Sequence, residues 1–391
     1  MDSEWARISL DELYEFSSGL SKPRSDFGSG YPFLSFKDVF YNSAVPQLTE
    51  LVNSTEQERL RCSVNRGDVF LTRTSETMDE LGMSSVALAD FPNATFNGFT
   101  KRLRPKHERR VLPEFARYYF RSPEFRKSVT VMSSMSTRAS LNNEMLARLA
   151  IVLPPLGEQC AIAQTLGALD DRFANLRESN NTLHAIASAL FRSWLVTFDG
   201  VPHENMRQSE LGLIPKGWCV ATVGDLATVS SGKRPESRFP HPTEEASVEL
   251  WGGNGPIAFT TRPLINERIL LTGRVGTLGS VFRISKPCWP SDNTLFLSER
   301  RRFVLNYLFF QLRQMDFASL NRGSTQPLLT QTDLKSQSVV LPPEEVLSRF
   351  DEIAEPLFQK IEHNLAQADT LAALRDALLP RLISGQLRVR P

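Results

Sequence analysis

Cysteine and histidine are scarce in this chain of 391 residues: four cysteines (Cys62, Cys160, Cys219, Cys288) and five histidines (His107, His184, His203, His241, His363). There is no Cys-x-x-Cys pair and no close histidine set, so no stretch has the spacing of a metal site, and the scattered thiols suit a reducing compartment. No apolar run approaches the roughly 18 residues of a membrane span. The start, Met1-Asp2-Ser3-Glu4, is acidic and has no apolar core, which reads as no signal peptide and a cytoplasmic location. Charge of one sign is also lacking. A net charge of +1 with 23% charged residues neither points to nucleic acid nor excludes it, because a near-neutral chain can carry a basic face. Catalytic signatures are missing too. No Gly-x-x-x-x-Gly-Lys-Ser/Thr loop occurs, which excludes a P-loop motor, and the Pro-Pro pairs follow Leu, unlike the Asn/Asp-Pro-Pro-Tyr/Phe motif of adenine methyltransferases. The expectation is a non-catalytic chain with no cofactor and no metal of its own.

What the chain does have is an internal repeat. Leu153-Pro154-Pro155 and Leu341-Pro342-Pro343 each open a long amphipathic stretch, and a constant shift of 188 residues aligns Ser136 with Ser324 and continues without a gap to Val196 and Ser384. In the first copy Ile162, Leu166, Leu169, Phe173, Leu176, Leu183, Ala187, Leu190 and Trp194 follow alternating spacings of four and three, interrupted by Asn180. That is a coiled-coil seam, with Asn180 acting as a register device. The second copy places Phe350, Leu357, Ile361, Leu371 and Leu378 on the seam, weakened by Asn364 and Arg375, and Pro356 is expected to kink or restart the helix. Helices of roughly 40 residues span about 60 Å, and two in one chain are most simply buried against each other.

The repeat extends to the parts ahead of the helices. Trp5 and Trp218 each precede a short strand, a turn and a Ser-Ser-Gly (Ser17-Ser18-Gly19; Ser230-Ser231-Gly232), followed by basic residues and proline at Lys22-Pro23-Arg24 and Lys233-Arg234-Pro235. Val69 to Thr72 and the stretch from Arg268 read as strands ending on Thr and then Arg (Thr72-Arg73; Thr272, Gly273, Arg274), each leading into glycine-bearing loops. An aromatic helix follows in each half, with Phe115, Tyr118, Tyr119 and Phe120 in one and Tyr307, Phe309 and Phe310 in the other, expected to be core. The predicted class is mixed α+β. Its parts are 1–152, a long helix over 153–198, a linker over 199–216, a second globular part over 217–340, a second long helix over 341–385 and a tail over 386–391, with Gly385 as a helix cap.

Taken with Leu190-Phe-Arg-Ser-Trp194, Ile214-Pro-Lys-Gly-Trp218, Trp251-Gly-Gly-Asn-Gly255, Arg274-Val-Gly-Thr-Leu-Gly279 and Gly323-Ser-Thr-Gln-Pro327, this layout resembles the specificity (S) subunits of Type I restriction-modification enzymes over nearly the whole chain. The resemblance implies two target recognition domains, each reading one half of a split DNA sequence. It also implies an antiparallel coiled coil that sets the spacer and docks two methyltransferase subunits. S-adenosylmethionine then belongs to those partners, and a motor-nuclease subunit is a further partner. The second reading left open is a coiled-coil scaffold with two peptide- or protein-binding domains.

Base and phosphate contacts need cationic and amide side chains on loops held by a rigid frame. Arg73 and Arg274, at strand ends before glycine loops, are the first candidates, with Thr72 beside the former; the alternative is surface or ion-paired arginine. Lys22, Arg24, Lys233 and Arg234 suit phosphates or a solvated charge pair. Asn254 lies in a Gly-Gly-Asn turn, Lys101 flanks a strand, and Arg138 and Gln326, with Thr325, occupy matching loops before each helix.

Overall fold

The computed structural model describes residues 5–74, 80–107, 110–134, 140–276, 278–323 and 326–389. The chain forms two compact units. Unit 1 is Met1–Leu176 together with Ala366–Pro391, and unit 2 is Arg177–Leu365. The division is not the one the repeat suggests, because each unit takes part of both long helices.

Unit 1 contains β1 (Ala6–Ser9), β2 (Tyr14–Ser18), β3 (Phe27–Leu34), β4 (Leu51–Val52), β5 (Val69–Thr72), β6 (Ser84–Val86), β7 (Thr95–Phe96), β8 (Thr100–Pro105) and β9 (Ala150–Leu153). Four of them form an antiparallel sheet in the order β2-β8-β5-β6, three form β4-β3-β7 with β3 parallel to β7, and β1 pairs with β9, Ala6 opposite Leu153. Unit 2 contains β10 (Met206–Ser209), β11 (Gly212–Pro215), β12 (Cys219–Thr222), β13 (Ala227–Ser231), β14 (Val248–Gly252), β15 (Gly255–Thr260), β16 (Ile269–Gly273), β17 (Val281–Ile284), β18 (Cys288–Pro290), β19 (Thr294–Glu299) and β20 (Ser338–Leu341). Its sheets repeat the plan as β13-β19-β16-β17, as β15-β14-β18 with a parallel β14–β18 pair, and as β12 against β20. The stretch 199–216, expected as a plain linker, instead folds as the β10–β11 hairpin and buries Ile214 in the unit 2 core.

Local chemistry explains these elements. β5 and β16 are buried along their whole length, as their unbroken runs Val-Phe-Leu-Thr and Ile-Leu-Leu-Thr-Gly require of central strands. Gly67, at φ +90, makes the turn that enters β5. Gly19 and Gly232 answer for the repeated Ser-Ser-Gly: a Cβ there would lie 2.2 Å from the Phe96 carbonyl oxygen and 2.1 Å from that of Ser291. The aromatic helices Pro113–Tyr119 and Leu305–Gln314 are core, as expected.

Each Leu-Pro-Pro ends a strand and starts a helix, since proline gives no ladder N–H and holds an extended entry. The helices run Leu156–Leu195 and Glu344–Ile383, 40 residues each, with Glu158, Glu344 and Glu345 in the first turns where the helix dipole favours acid. The second helix runs through Pro356 without interruption, so it does not restart there. Pro356 and Glu352 both face solvent, so water can take the Glu352 carbonyl that the missing N–H leaves free. Gly385, at φ +76, ends the helix as expected.

Within each unit the two helices run antiparallel. In unit 1, Arg172 donates to Gln367 (3.2 Å) and Ile162 and Leu166 share a core with Leu382 and Ile383. In unit 2, Asn364, fully buried, donates to Asn180 Oδ1 at 2.8 Å, and Phe191 packs with Phe350. The Asn180 register device is therefore an amide pair with Asn364.

The seam itself differs from the heptad reading. Ile162, Leu166, Leu176 and Phe350 are buried, and Leu169, Leu183, Leu190, Trp194, Leu357, Ile361, Leu371 and Leu378 are half-buried. Phe173 is 44% exposed, whereas Phe191 (0%) and Leu195 (1%) are buried in place of Leu190 and Trp194. A helix of 3.6 residues per turn drifts about 20° per heptad from a 3.5-residue repeat. From Ile162 to Phe191 that amounts to about one residue position, and the buried stripe moves accordingly.

Arginine–carboxylate latches fasten each globular part to a long helix, from the helix Pro113–Tyr119 in unit 1 and from the sheet in unit 2. In unit 1, Arg117 (2.9 Å) and the Tyr118 hydroxyl (2.8 Å) both donate to Asp170. In unit 2, Arg283, its side chain 4% exposed, bonds Glu355 at 2.6 Å and also Glu362 and Asn306, and Arg268 pairs with the same Glu355. Burial alone would raise the Glu355 carboxyl, but Asn306 and the two guanidiniums hold it below its ordinary value. Burial pushes neighbouring Asp351 up.

Phe191→Ala should cost about 3–5 kcal/mol in chemical denaturation, and Phe173→Ala under about 1 kcal/mol; equal losses would restore the heptad seam. Arg283→Met should cost about 3 kcal/mol, because Glu362 loses its cation while Glu355 keeps Arg268 and Asn306. A depressed carboxyl stabilises above its unfolded value and loses that contribution as pH falls through its folded value. The Arg283→Met penalty should therefore shrink in melts run at successively lower pH below the ordinary glutamate range.

Candidate nucleic-acid interface

Four positions meet at equivalent corners of the two four-stranded sheets. At the end of β5, the Arg73 N–H donates to the Phe99 carbonyl (2.8 Å) and the Arg73 carbonyl accepts from Leu141 N–H (2.9 Å). At the end of β16, Arg274 makes the same pair of bonds with Asn293 (2.8 Å) and Leu329 (2.9 Å). Both arginines are partly buried, and both Nε atoms are enclosed with no hydrogen-bond partner. The second position is Ser18 or Ser231, at the end of the first strand of each sheet. The third is Lys101 in β8, whose register equivalent in β19 is Leu295. The fourth is Asn143 or Gln331, two residues past the leucines just named.

The polar groups are wired differently in the two corners. In unit 1, Lys101 Nζ donates to Ser18 Oγ (2.9 Å) and Asn143 Oδ1 (2.7 Å). Lys101 is 7% exposed and makes no ion pair among the described residues; burial first, and Arg73 second, lower its pKa. In unit 2, Gln331 Nε2 donates to Ser231 Oγ (2.8 Å), which also lies 3.5 Å from an Arg274 nitrogen. Cations held by neutral oxygens, without a carboxylate, can take up an anion with little rearrangement.

The other expected residues are placed as follows. Thr72 is fully buried, its hydroxyl donating to Glu80 O (2.8 Å) and accepting from Met83 N–H (2.9 Å). It shapes the loop and presents nothing outward. Its register equivalent is Gly273, not Thr272, since Thr72 faces Thr100 and Gly273 faces Thr294. Lys22 is committed to Glu58 at 2.9 Å, a bond that lowers the Glu58 carboxyl. Arg24 is exposed in a short 3-10 turn. Lys233 and Arg234 are exposed on a cleft of about 390 Å³ that also includes Arg262, Glu236 and Trp289. Asn254 is exposed at the β14–β15 turn and Gln326 is exposed before the second helix. Arg138 and Thr325 lie outside the described residues.

Sequence reasoning passed over Ser18, Ser231, Asn143 and Gln331. The signal was present: Asn143 and Gln331 are amides at the same 188-residue shift that aligns Leu141 with Leu329. Among the described residues no His/Cys/Asp/Glu group could hold a metal, and no helix is long and apolar enough to cross a membrane.

Comparison with known proteins agrees with this arrangement. The model of the Type I restriction modification DNA specificity domain matches residues 2–185 and 215–367. The chain is 27% identical over 418 residues to the Type I restriction enzyme MjaIX specificity subunit of Methanocaldococcus jannaschii, covering 99% of this chain and 94% of that protein. It is 20% identical over 482 residues to the HindI specificity subunit of Haemophilus influenzae, covering 98% of this chain and all (100%) of that one. The crystal structure of a Type I restriction-modification S subunit from M. genitalium shares the fold, with a TM-score of 0.65 at 15% identity, over 98% of this chain and 97% of the other. Two matched segments, full-length relatives and a common fold thus converge: the chain belongs to the Type I restriction-modification DNA specificity family, a specificity subunit of an enzyme complex whose catalysis lies in partner subunits.

Proposed function

We propose that the globular parts, 1–152 and 217–340, are separate target recognition domains, each reading one half of a bipartite duplex DNA sequence. The observation that supports this most directly is the duplicated corner at Arg73 and Arg274: one backbone frame, two different sets of polar side chains. Readers built on one frame approach duplex in one way, and their differing side chains select different bases. Arg73, Lys101 and Arg274 belong to that interface, with Arg24, Lys233, Arg234, Asn254 and Gln326 as contacts around it. The long helices of segments 153–198 and 341–385 set the unspecified spacer and dock two adenine methyltransferase subunits. Those partners bring S-adenosylmethionine, and a restriction subunit joins the same assembly.

Co-expression with a candidate adenine methyltransferase from the genomic neighbourhood, followed by genome-wide mapping of methylated adenine, should yield one split motif: two short defined parts around a fixed unspecified spacer. Exchanging residues 1–152 for those of a relative should change one part and leave the other. An active complex that methylates without a split motif would transfer weight to the scaffold reading. In binding assays Lys101→Met should weaken all duplexes alike and lower the salt slope by about one unit.

A further inference from the structure

Each corner carries a tight turn at a matched, Asn-bearing polar stretch of the two halves. In unit 1 it is Asn97-Gly98-Phe99. Asn97 N–H donates to the Leu34 carbonyl (3.0 Å) and Gly98 N–H to the Leu20 carbonyl (2.7 Å). Phe99 N–H donates to Asn97 Oδ1 (2.7 Å), and Thr100 closes the turn with its N–H (3.1 Å) and hydroxyl (2.7 Å) on the Asn97 carbonyl. A Cβ on Gly98 would sit 2.4 Å from Ser21 Oγ, so the turn lies flat on the body of the unit. Out of this rigid turn stands Phe99, 60% exposed, its carbonyl held by Arg73 and its chain continuing into Lys101 two residues on.

Unit 2 builds the same turn from Ser291-Asp292-Asn293. Ser291 N–H donates to the Trp251 carbonyl (2.9 Å), and the Thr294 N–H (3.0 Å) and hydroxyl (2.7 Å) donate to the Ser291 carbonyl. Arg274 N–H holds the Asn293 carbonyl (2.8 Å), and the Asn293 residue is exposed. The two tips are therefore structurally equivalent, and the residue at the tip has changed from an apolar ring to an amide.

Phe99 stands exposed on this turn, and among the described residues its neighbours Arg73 and Lys101 have no carboxylate partner. Cations beside an apolar tip match a groove whose rim is phosphate and whose floor carries apolar groups. In duplex DNA the apolar group available in the major groove is the thymine C5 methyl, and the group that suits an asparagine is the adenine N6/N7 edge. We propose that Phe99 and Asn293 are paired specificity-determining residues: Phe99 reads a thymine in one half-site through its methyl group, and Asn293 reads an adenine in the other. This rests on the bipartite reading of the two domains.

The test uses the co-expressed complex with its methyltransferase and a duplex carrying the mapped split motif. Each required thymine, on either strand, is replaced singly by deoxyuridine, which removes only the methyl, and binding is measured at one fixed salt concentration. At one thymine of one half-site deoxyuridine should weaken the wild-type complex about threefold to fourfold, the worth of one buried methyl. Phe99→Ala should bind more weakly, be indifferent to deoxyuridine there, and melt at the wild-type temperature. Asn293→Ala should lose about tenfold of its discrimination at one adenine of the other half-site. The proposal is overturned if Phe99→Ala keeps every deoxyuridine sensitivity of the wild type, or if it weakens all duplexes equally whatever their sequence. Failure of the bipartite reading looks different. It would appear in the wild-type complex, as methylation without a split motif, before any variant is compared, and it would overturn the readout as well.

Discussion

Leu382 and Ile383, near the end of the chain, are buried in the same core as Ile162, Leu166 and the strands of unit 1. Phe191 and Leu195, from the first long helix, are buried in the core of unit 2 with Phe350 and Ala354. The remaining features follow from this exchange. A long amphipathic helix cannot leave its apolar stripe in water, and here each unit covers parts of both stripes. The ends of the helices are secured accordingly. Glu158 in the first helix accepts from Trp5 Nε1 (3.2 Å) and Arg388 (2.9 Å), and Arg388 lies 4.6 Å over the Trp5 ring. In unit 2, Phe198, just past the first helix, packs edge-on to Trp218 at 5.2 Å. The two tryptophans that open the repeat thus mark where each unit is closed by chain leaving a long helix.

The latches tie each globular part to the helix segments of its own unit. Asp170 in unit 1 and Glu355 with Glu362 in unit 2 receive arginines from the globular part of their own unit. Buried pairs of this kind add little net stability, but breaking one leaves a stranded charge, so their geometry is strongly enforced. A reader that must meet a base edge within hydrogen-bond distance needs its frame held in that way.

The corners show how a duplicated frame acquires two chemistries. Backbone bonds from Arg73 and Arg274 are matched bond for bond, and the turns below them share the bonds made by their first residue and by Thr100 or Thr294. The side chains they carry diverge: Lys101 against Leu295, Asn143 against Gln331, Phe99 against Asn293. Backbone hydrogen bonding constrains the fold and tolerates exchange of side chains that it does not use.

Much of this was legible in the sequence, because repetition, proline placement and apolar spacing are local or additive signals. The Leu-Pro-Pro openings, the two 40-residue helices, the buried aromatic helices and the duplicated Ser-Ser-Gly all follow from residue order and elementary backbone sterics. Tertiary structure alone decided which helix segments share a core, because burial depends on a partner surface and on a drift of about one residue that no heptad count contains. It decided that Pro356 is tolerated, that 199–216 forms a hairpin, and that Thr72 turns inward while Lys22 is taken by Glu58. It also brought together Ser18, Arg73, Lys101 and Asn143, residues remote along the chain and adjacent only once β2, β8 and β5 are in register. The frame is a property of pattern; the site is a property of register, which only the folded sheet defines.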